Sequence, residues 1–161
     1  MPLLFCSVLF TLTYYSRADL IADTCKKTEY PNLCISTLRS NPDSKTADVE
    51  GLVRIILKVT FARVNATLDR VNDLLKKTKD RGLKQSLVIC ASLYGDAVNY
   101  EIPRAIQSVG KDNFTARTET TAIVDDADTC EDQFGESPIT AENNIIIQLA
   151  IIALGIINRL G

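Results

Sequence analysis

Two amphipathic stretches each carry one cysteine inside the stripe that faces the protein core, and this feature constrains the fold most. The first stripe recurs at spacings of three and four residues and consists of Leu83, Leu87, Cys90, Tyr94, Ala97, Glu101 and Ala105. The second has the same period and consists of Ala116, Thr120, Ile123, Ala127, Cys130 and Phe134. This spacing places each stripe on one side of an α-helix. We therefore predict two facing helices that a disulfide between Cys90 and Cys130 could join.

A third stretch predicts a long helix that Thr46 caps and that Gly82 ends. Its apolar face consists of Val49, Val53, Ile56, Thr60, Val64, Leu68, Val71 and Leu75. Acidic residues in its first turns and lysines in its last turn suit the helix dipole. In the helix that follows, Pro103 lacks a backbone donor, so we expect it to bend that helix or to end it early.

The last stretch is apolar on most sides and predicts a helix that Thr140 caps. One stripe consists of Ile145, Leu149, Ile152, Ile156 and Leu160. A membrane helix is the alternative interpretation, but Gln148, Asn158 and Arg159 interrupt or flank a run that is too short to span a bilayer. We therefore predict a central, largely buried helix and no membrane partner.

Four long helices with short links predict an all-α fold, an up-down-up-down four-helix bundle over residues 46–161. A short helical hairpin over residues 19–41 precedes it, in which Cys25 ends the first helix, Pro31 begins the second and Cys34 lies in the first turn of that second helix. No strand pattern competes with this interpretation. The hairpin is too short to have its own core, so it must pack on another surface or project as an arm.

Residues 1–18 have the pattern of a cleaved secretory signal peptide. An uncharged apolar run from Leu3 to Tyr15 is followed by small residues at Ser16 and Ala18, and we expect cleavage after Ala18. The run is too short for a membrane anchor, and no stop-transfer pattern follows it. We therefore predict a secreted protein whose mature domain is residues 19–161.

Removal of the signal peptide takes away Cys6 and leaves four cysteines in an oxidising compartment, which predicts two disulfides. Three pairings are possible. We favour Cys25 with Cys34, because they are neighbours in the chain, and Cys90 with Cys130, because their apolar faces match. The spacings do not resemble a zinc knuckle and the chain has no histidine, so we expect no metal.

The absence of histidine also excludes Ser-His-Asp and Cys-His catalysis. An acidic run could suggest a calcium or catalytic cluster, but its members lie on several sides of a helix, and a solvated face is the simpler interpretation: Asp125, Asp126, Asp128, Glu131 and Asp132. With 20 acidic and 18 basic residues, the chain does not suggest nucleic-acid binding. We expect a binding module without a cofactor or enzymatic activity.

Two sequons would be exposed to glycosylation in a secreted protein. They are Asn65-Ala66-Thr67 and Asn113-Phe114-Thr115. A chain of this length often holds one sequon by chance, so they support secretion only weakly.

Two regions resemble the plant invertase and pectin methylesterase inhibitor family. The first comprises Thr24-Cys25-Lys26-Lys27-Thr28, Tyr30-Pro31-Asn32-Leu33-Cys34 and Leu38-Arg39-Ser40-Asn41-Pro42, and the second runs from Asp125 to Phe134 and continues with Ser137-Pro138. The resemblance covers essentially the whole mature chain. It implies a monomer of the apoplast or cell wall that binds one carbohydrate enzyme one to one and blocks its active-site cleft. It also implies the disulfide pairing favoured above.

The candidate inhibitory loop is Gly110-Lys111-Asp112-Asn113-Phe114. Invertase inhibitors of this family carry a Pro-Lys-Phe motif between the second and third bundle helices. Here Phe114 is retained, but Asp112 and Asn113 stand at the positions of the proline and the lysine. An acid would be repelled by glycosidase carboxylates, and a glycan on Asn113 would obstruct insertion of the loop.

The residues around Thr129-Cys130 are more similar to pectin methylesterase inhibitors, which use the polar surface of the bundle. The sequence therefore slightly favours pectin methylesterase as the partner, with acid invertase as the alternative. A third interpretation is a non-inhibitory secreted binding protein that carries an apolar ligand, which the apolar last helix supports. In purely structural terms, Phe114 would be the first core residue of its helix, Lys111 a solvated lysine, and Tyr94 and Phe134 packing residues.

Overall fold

The computed structural model describes residues 20–161, so the predicted signal peptide and Cys6 lie outside the described residues. Helix α1 covers residues 20–25, and the remaining helices are α2 (Pro31–Ser40), α3 (Val49–Lys77), α4 (Arg81–Asp96), α5 (Ile102–Ser108), α6 (Asn113–Glu131) and α7 (Thr140–Ile157). A 3₁₀ turn covers Pro42–Lys45, and a π turn covers Ala97–Glu101. The described part of the chain contains no strand, and the predicted all-α fold is confirmed.

The long helices form the predicted four-helix bundle, in which α4, the π turn and α5 together make up the second helix. Helix α3 packs against α4 and α5, both of these pack against α6, α6 packs against α7, and α7 closes the bundle by packing against α3. The connecting links are short, so sequential helices run antiparallel.

The helix caps differ from three of the predictions. Thr46 closes the 3₁₀ turn instead, and Asp48 caps α3 by accepting a hydrogen bond from Gly51 N at 2.8 Å. Gly82 does not end α3, because α3 ends at Lys77 and Gly82 lies inside α4, which Asp80 caps through Leu83 N at 2.6 Å. Thr140 is the first residue of α7, and its hydroxyl donates to Glu131 and accepts no hydrogen bond from a backbone amide, so α7 has no side-chain cap. Aspartate is a strong N-cap, so the nearest aspartates take this role.

Pro103 does not end its helix, which continues to Ser108. The π turn lies directly before the proline, and Ile102 N donates to Ala97 O, five residues earlier. Proline lacks a donor and crowds the preceding carbonyl of an α-helix, and a wider turn is one way to relieve that conflict. The π turn also changes which residue faces the core. The α-helical period predicted Glu101 on the buried side, but Ile102 is fully buried there instead.

Two apolar clusters fill the bundle. One lies at the end that contains the hairpin, the start of α3 and the end of α7, and the other surrounds Cys90 and Cys130. The hairpin packs on its own bundle, since Ile21 and Leu38 belong to the first cluster and Arg159 donates to the carbonyl of Lys27. It is therefore a packed element of the bundle and not a projecting arm.

Both predicted disulfides are present. Cys25 and Cys34 are joined with a Cα–Cα distance of 5.5 Å, and Cys90 and Cys130 with a distance of 4.9 Å. All four cysteines are fully buried. The first bond closes the hairpin, and the second joins α4 to α6 through their apolar faces.

Helix α7 is the one helix of residues 20–161 that is long and apolar enough to cross a membrane. From Ile145 to Ile157 every residue of the described structure is buried or half-buried. The helix therefore serves as a core helix of the bundle, as predicted.

Candidate binding surfaces

The α5–α6 loop, Val109–Asp112, is held by hydrogen bonds from its own backbone. Lys111 N and Asp112 N both donate to Ser108 O, at 2.9 Å and 2.8 Å. Gly110 N donates to Asn113 Oδ1 at 2.8 Å, and Gly110 has a φ of 76°, a region that favours glycine. These contacts give the loop a defined backbone conformation.

Helix α3 also fixes this loop. Arg54 Nη2 donates to Val109 O at 2.6 Å and to Glu50 Oε2 at 3.3 Å. Gly110 lies so close to Glu50 that an added Cβ would be 2.1 Å from its carboxylate oxygen. The four-residue spacing of Glu50 and Arg54 suggests an ion pair from sequence alone, but their contact with the loop does not show in it. Sequence analysis therefore missed both positioning residues.

Phe114 follows the loop as the second residue of α6, and its side chain points to solvent. It is 70% exposed, and the Arg117 guanidinium carbon lies 5.9 Å from the centre of its ring. The structural alternative that made Phe114 a core residue is therefore wrong. Lys111 is also exposed, so an aromatic ring and two cations are accessible at this end of the bundle.

The two residues between Lys111 and Phe114 have structural contacts. Asp112 caps α6, and its carboxylate accepts hydrogen bonds from Thr115 N at 3.0 Å and Thr115 Oγ1 at 2.6 Å, which lower the pKa of Asp112. Asn113 accepts from Gly110 N, as described, and its Nδ2 donates to Gly161 O at 3.3 Å. Of the five predicted loop residues, the side chains of Lys111 and Phe114 are thus left for a partner.

The two sequon asparagines lie in different environments. Asn65 is exposed in the middle of α3, and the Thr67 hydroxyl of its sequon is directed to Arg63 O at 2.8 Å. Asn113 is half-buried. An N-glycan on Asn65 would project from the outer surface of α3, away from the α5–α6 loop.

A second exposed surface runs along α6, which we term the α6 face. Its exposed residues are Arg117, Thr118, Thr121, Asp125, Asp128, Thr129 and Asp132. Beside it, Tyr100 of the π turn is 64% exposed. The predicted solvated acidic run is correct for its exposed aspartates, but Asp126 and Glu131 are half-buried and turn toward the bundle.

Asp126 faces Glu101 of the π turn. Glu101 Oε2 and Asp126 Oδ2 are both buried and lack a hydrogen-bond partner among the described residues. Burial, followed by the nearby Asp126 carboxyl, raises the pKa of Glu101 to about 8. Burial is also the main cause that raises the pKa of Asp126 to about 6. The two carboxyl groups therefore share at least one proton in mildly acidic solution, and the signal for this in the sequence was the place of Glu101 in an otherwise apolar stripe.

A buried polar network lies beside the Cys90–Cys130 disulfide. The Tyr94 hydroxyl donates to Asn143 Oδ1, and Asn143 Nδ2 donates to Glu131 Oε2 at 2.5 Å. Burial raises the pKa of Tyr94, so the hydroxyl keeps its proton and remains a donor. The network joins α4, α6 and α7. Tyr94 is fully buried and Phe134 packs against the second apolar cluster, so both are packing residues, as the structural alternative proposed.

Comparison with known proteins gives a consistent result. Residues 19–156 match the family model described as plant invertase/pectin methylesterase inhibitor. The chain is 33% identical to a "Putative invertase inhibitor" of Platanus acerifolia over 98% of this chain and 94% of the relative. It is 32% identical to "Cell wall / vacuolar inhibitor of fructosidase 1" of Arabidopsis thaliana, over 78% of this chain and 62% of the relative.

Among solved structures, a mutant form of a pectin methylesterase inhibitor from Arabidopsis superimposes with a TM-score of 0.72. The two chains are 26% identical, and the match covers 85% of this chain and 94% of the other. The bundle and hairpin described above are therefore similar to a solved inhibitor structure.

Proposed function

Because the chain belongs to the plant invertase/pectin methylesterase inhibitor family, whose members are inhibitors and not catalytic enzymes, we propose that it blocks the active-site cleft of a cell-wall carbohydrate enzyme. In this proposal residues 1–18 are the signal peptide, and the mature protein over residues 19–161 acts outside the cell as a monomer, one molecule per enzyme. The relative named as a cell wall / vacuolar inhibitor supports an extracellular location in general.

We favour pectin methylesterase as the target. One observation carries this choice: no basic residue lies directly before Phe114. The two residues there are Asp112 and Asn113, and their side chains form hydrogen bonds within the protein. The α6 face, by contrast, is a continuous exposed polar surface of the kind that could cover a cleft. The similarity to a solved pectin methylesterase inhibitor supports the same choice.

Acid invertase is the second candidate, and a different observation favours it. Phe114 is 70% exposed in the first turn of α6, directly after a loop that Arg54 fixes through Val109 O, which is the arrangement expected of an aromatic anchor that enters a pocket. A relative with 33% identity is also named as an invertase inhibitor.

The test is a titration of a plant pectin methylesterase and an acid invertase, side by side, with the oxidised mature protein. Two surface variants locate the contact. If the esterase is the target, Thr121→Lys combined with Asp125→Lys on the α6 face weakens inhibition by about tenfold or more, and Phe114→Ala has little effect. Ala62→Lys combined with Asp69→Lys, on the exposed surface of α3, is the control with the same change in charge. Inhibition of invertase that is lost in Phe114→Ala would reverse the assignment.

The non-inhibitory carrier rested on the apolar character of α7. That apolar surface packs within the bundle, so the observation that motivated a carrier has another explanation. Failure to inhibit either enzyme, with the fold shown intact by circular dichroism, would nevertheless favour the carrier over both inhibitor proposals.

A further inference from the structure

We propose that the end of the bundle at the α3–α4 turn is a docking surface for an acidic polysaccharide, namely the polyuronate that a pectin methylesterase leaves behind. We term this surface the basic end, and its cations are Lys76, Lys77, Lys79, Arg81 and Lys84. The choice of this polysaccharide rests on the proposed cell-wall function. The charge and the shape of the surface are features of the structure that do not depend on that function.

The basic end has a net positive charge, whereas the rest of the protein has a net negative charge. Residues 73–84 contain five basic and two acidic residues, which leaves 13 of the 18 basic and 18 of the 20 acidic residues elsewhere. All five cations are exposed. Lys76 pairs with Asp73 at 3.5 Å, but none of the other four forms an ion pair with another described residue. The cationic charge is thus concentrated and largely uncompensated.

Helix stability explains only part of this cluster. Lys76 and Lys77 lie in the last turn of α3, where cations interact favourably with the helix dipole. Arg81 and Lys84 lie at the start of α4, where the dipole disfavours cations, and the acid at this helix end is the N-cap Asp80, because the first turn itself contains none. The helix dipole therefore does not account for the cations of α4, whereas a bound anion would interact favourably with them and with this helix end.

An open groove of about 470 Å³ begins on α4 at this end of the bundle, and its lining residues alternate along the helix with Arg81 and Lys84, which do not line it. Leu83, Gln85 and Ser86 line it from α4, and Gln133, Phe134 and Glu136 line it from the end of α6 and the link to α7. Ser86 Oγ donates to Gln133 O at 2.8 Å and Gln133 Nε2 donates to Thr129 O at 2.9 Å, so the Gln85 amide is the donor directed to a sugar, while the oxygens of all three side chains can accept from sugar hydroxyls. Glu136 contributes one carboxylate to the groove, so the carboxylates of a bound polymer would be directed toward the lysines and Arg81.

The surroundings favour a polysaccharide over other polyanions. Single-stranded nucleic acids are usually bound with aromatic platforms, but the large exposed aromatic residues of the described structure are Tyr100 and Phe114. Tyr100 lies 19 residues after Arg81 along one helix, which corresponds to roughly 28 Å. A membrane would require several exposed apolar residues near the cations, and Val88 alone is strongly exposed on α4. A polymer with a carboxylate on each sugar suits a cluster of exposed cations at a bundle end that also carries amide and hydroxyl groups.

The experiment measures binding of the oxidised mature protein to immobilised polygalacturonate, without any enzyme or calcium present. The patch variant combines Lys77→Gln, Lys79→Gln, Arg81→Gln and Lys84→Gln. The matched control combines Lys27→Gln, Arg39→Gln, Lys58→Gln and Arg63→Gln, which removes the same charge from exposed sites elsewhere. We expect the patch variant to bind about tenfold more weakly and the control to bind nearly as the unmodified protein does. Thermal melts check that both variants fold.

Three results would overturn the proposal. The first is equal binding to fully methyl-esterified pectin, which lacks the carboxylates. The second is equal loss in the control and patch variants, which would indicate a diffuse charge effect. The third is equally tight binding to single-stranded DNA and heparin, which would indicate a general polyanion surface. Enzyme inhibition is measured separately, so a failed inhibition assay and a failed binding assay remain distinguishable.

Discussion

Glu101 and Asp126 bring two carboxyl groups together between the π turn and α6, and each group has one buried oxygen without a hydrogen-bond donor. The neighbouring charges do not neutralise the pair, because Asp96 and Asp125 are acids and Glu119 is paired with Arg104 at 3.2 Å. The buried side chains that α3 and α7 contribute carry no charge. A proton shared between Glu101 and Asp126 is therefore what reduces the repulsion between their two carboxyl groups.

The first prediction is that the protein becomes less stable as the pH rises. The pKa values of about 8 for Glu101 and about 6 for Asp126 lie above the ordinary values of about 4 in an unfolded chain. A carboxyl group whose pKa is higher in the folded protein than in the unfolded chain stabilises the fold fully at a pH below the unfolded pKa. This stabilisation is lost as the pH rises through the folded pKa. We expect the melting temperature to fall by roughly 5 °C between pH 5 and pH 8, measured by circular dichroism.

Glu101→Gln should flatten that profile, since an amide can donate to Asp126 at every pH. Asp69→Asn, on the exposed surface of α3, should leave the slope unchanged, because Asp69 is not one of the charges that shift the pKa of Glu101 or Asp126. An unmodified protein with a flat profile from pH 5 to pH 8 would show that the pair does not titrate in this range.

The second prediction concerns Asn143. Asn143→Ala leaves the buried Tyr94 hydroxyl and a Glu131 oxygen without their partner, so we expect a loss of about 2–4 kcal/mol in the free energy of unfolding. Asn144→Ala removes the same group from an exposed neighbouring position and should cost less than about 0.5 kcal/mol. Urea titration of both variants gives the comparison, and equal losses would contradict a role for the network.

The third prediction compares the two disulfides. The Cys90–Cys130 bond spans a separation of 40 residues and the Cys25–Cys34 bond one of 9. Loop-closure entropy then gives about 4 kcal/mol for the first and about 2.5 kcal/mol for the second. Replacing each pair with alanines and measuring unfolding in urea should reproduce this order. The reverse order would indicate that the hairpin contributes more to stability than its short loop suggests.

The fourth prediction concerns Gly110. Alanine at this position would adopt a positive φ and would place its Cβ against Glu50, so Gly110→Ala should destabilise the fold by about 1–3 kcal/mol. Gly135→Ala is the control, since a Cβ there meets no atom within 4 Å. If both variants melt alike, the loop is less constrained by Glu50 than the contact implies. Gly110→Ala should also accelerate hydrogen exchange at Lys111 and Asp112, because their amides close the same turn.

The sequence predicted the helices, the bundle and both disulfides because these depend on local periodicity and on apolar faces that must be buried. The caps were harder, since Thr46 and Asp48 are both good N-caps and only the end of the preceding 3₁₀ turn decides between them. The N-cap preferences of single residues identify both as candidate caps, but they do not show which of the two caps the helix.

The candidate site was less predictable because its shape depends on contacts between distant residues. Arg54 and Val109 are 55 residues apart, and the bond between them has no local signature. The side chains of Asp112 and Asn113 likewise turn toward the fold for reasons that involve Thr115, Gly110 and Gly161. Composition and spacing therefore located the loop but did not indicate which of its side chains a partner could reach.

The π turn has a consequence for how this helix can change in length. The buried residues Ala97, which begins the turn, and Ile102, which follows it, are five residues apart instead of four. Deleting one residue of the turn would restore a regular α-helical phase and keep Ile102 on the buried side, four residues after Ala97, whereas winding the unchanged sequence as an α-helix would bring Glu101 to the interior instead. The extra residue of the π turn thus keeps an apolar side chain, and not an acid, in the buried stripe, and the helix can lose that residue without changing which side of α5 faces the interior.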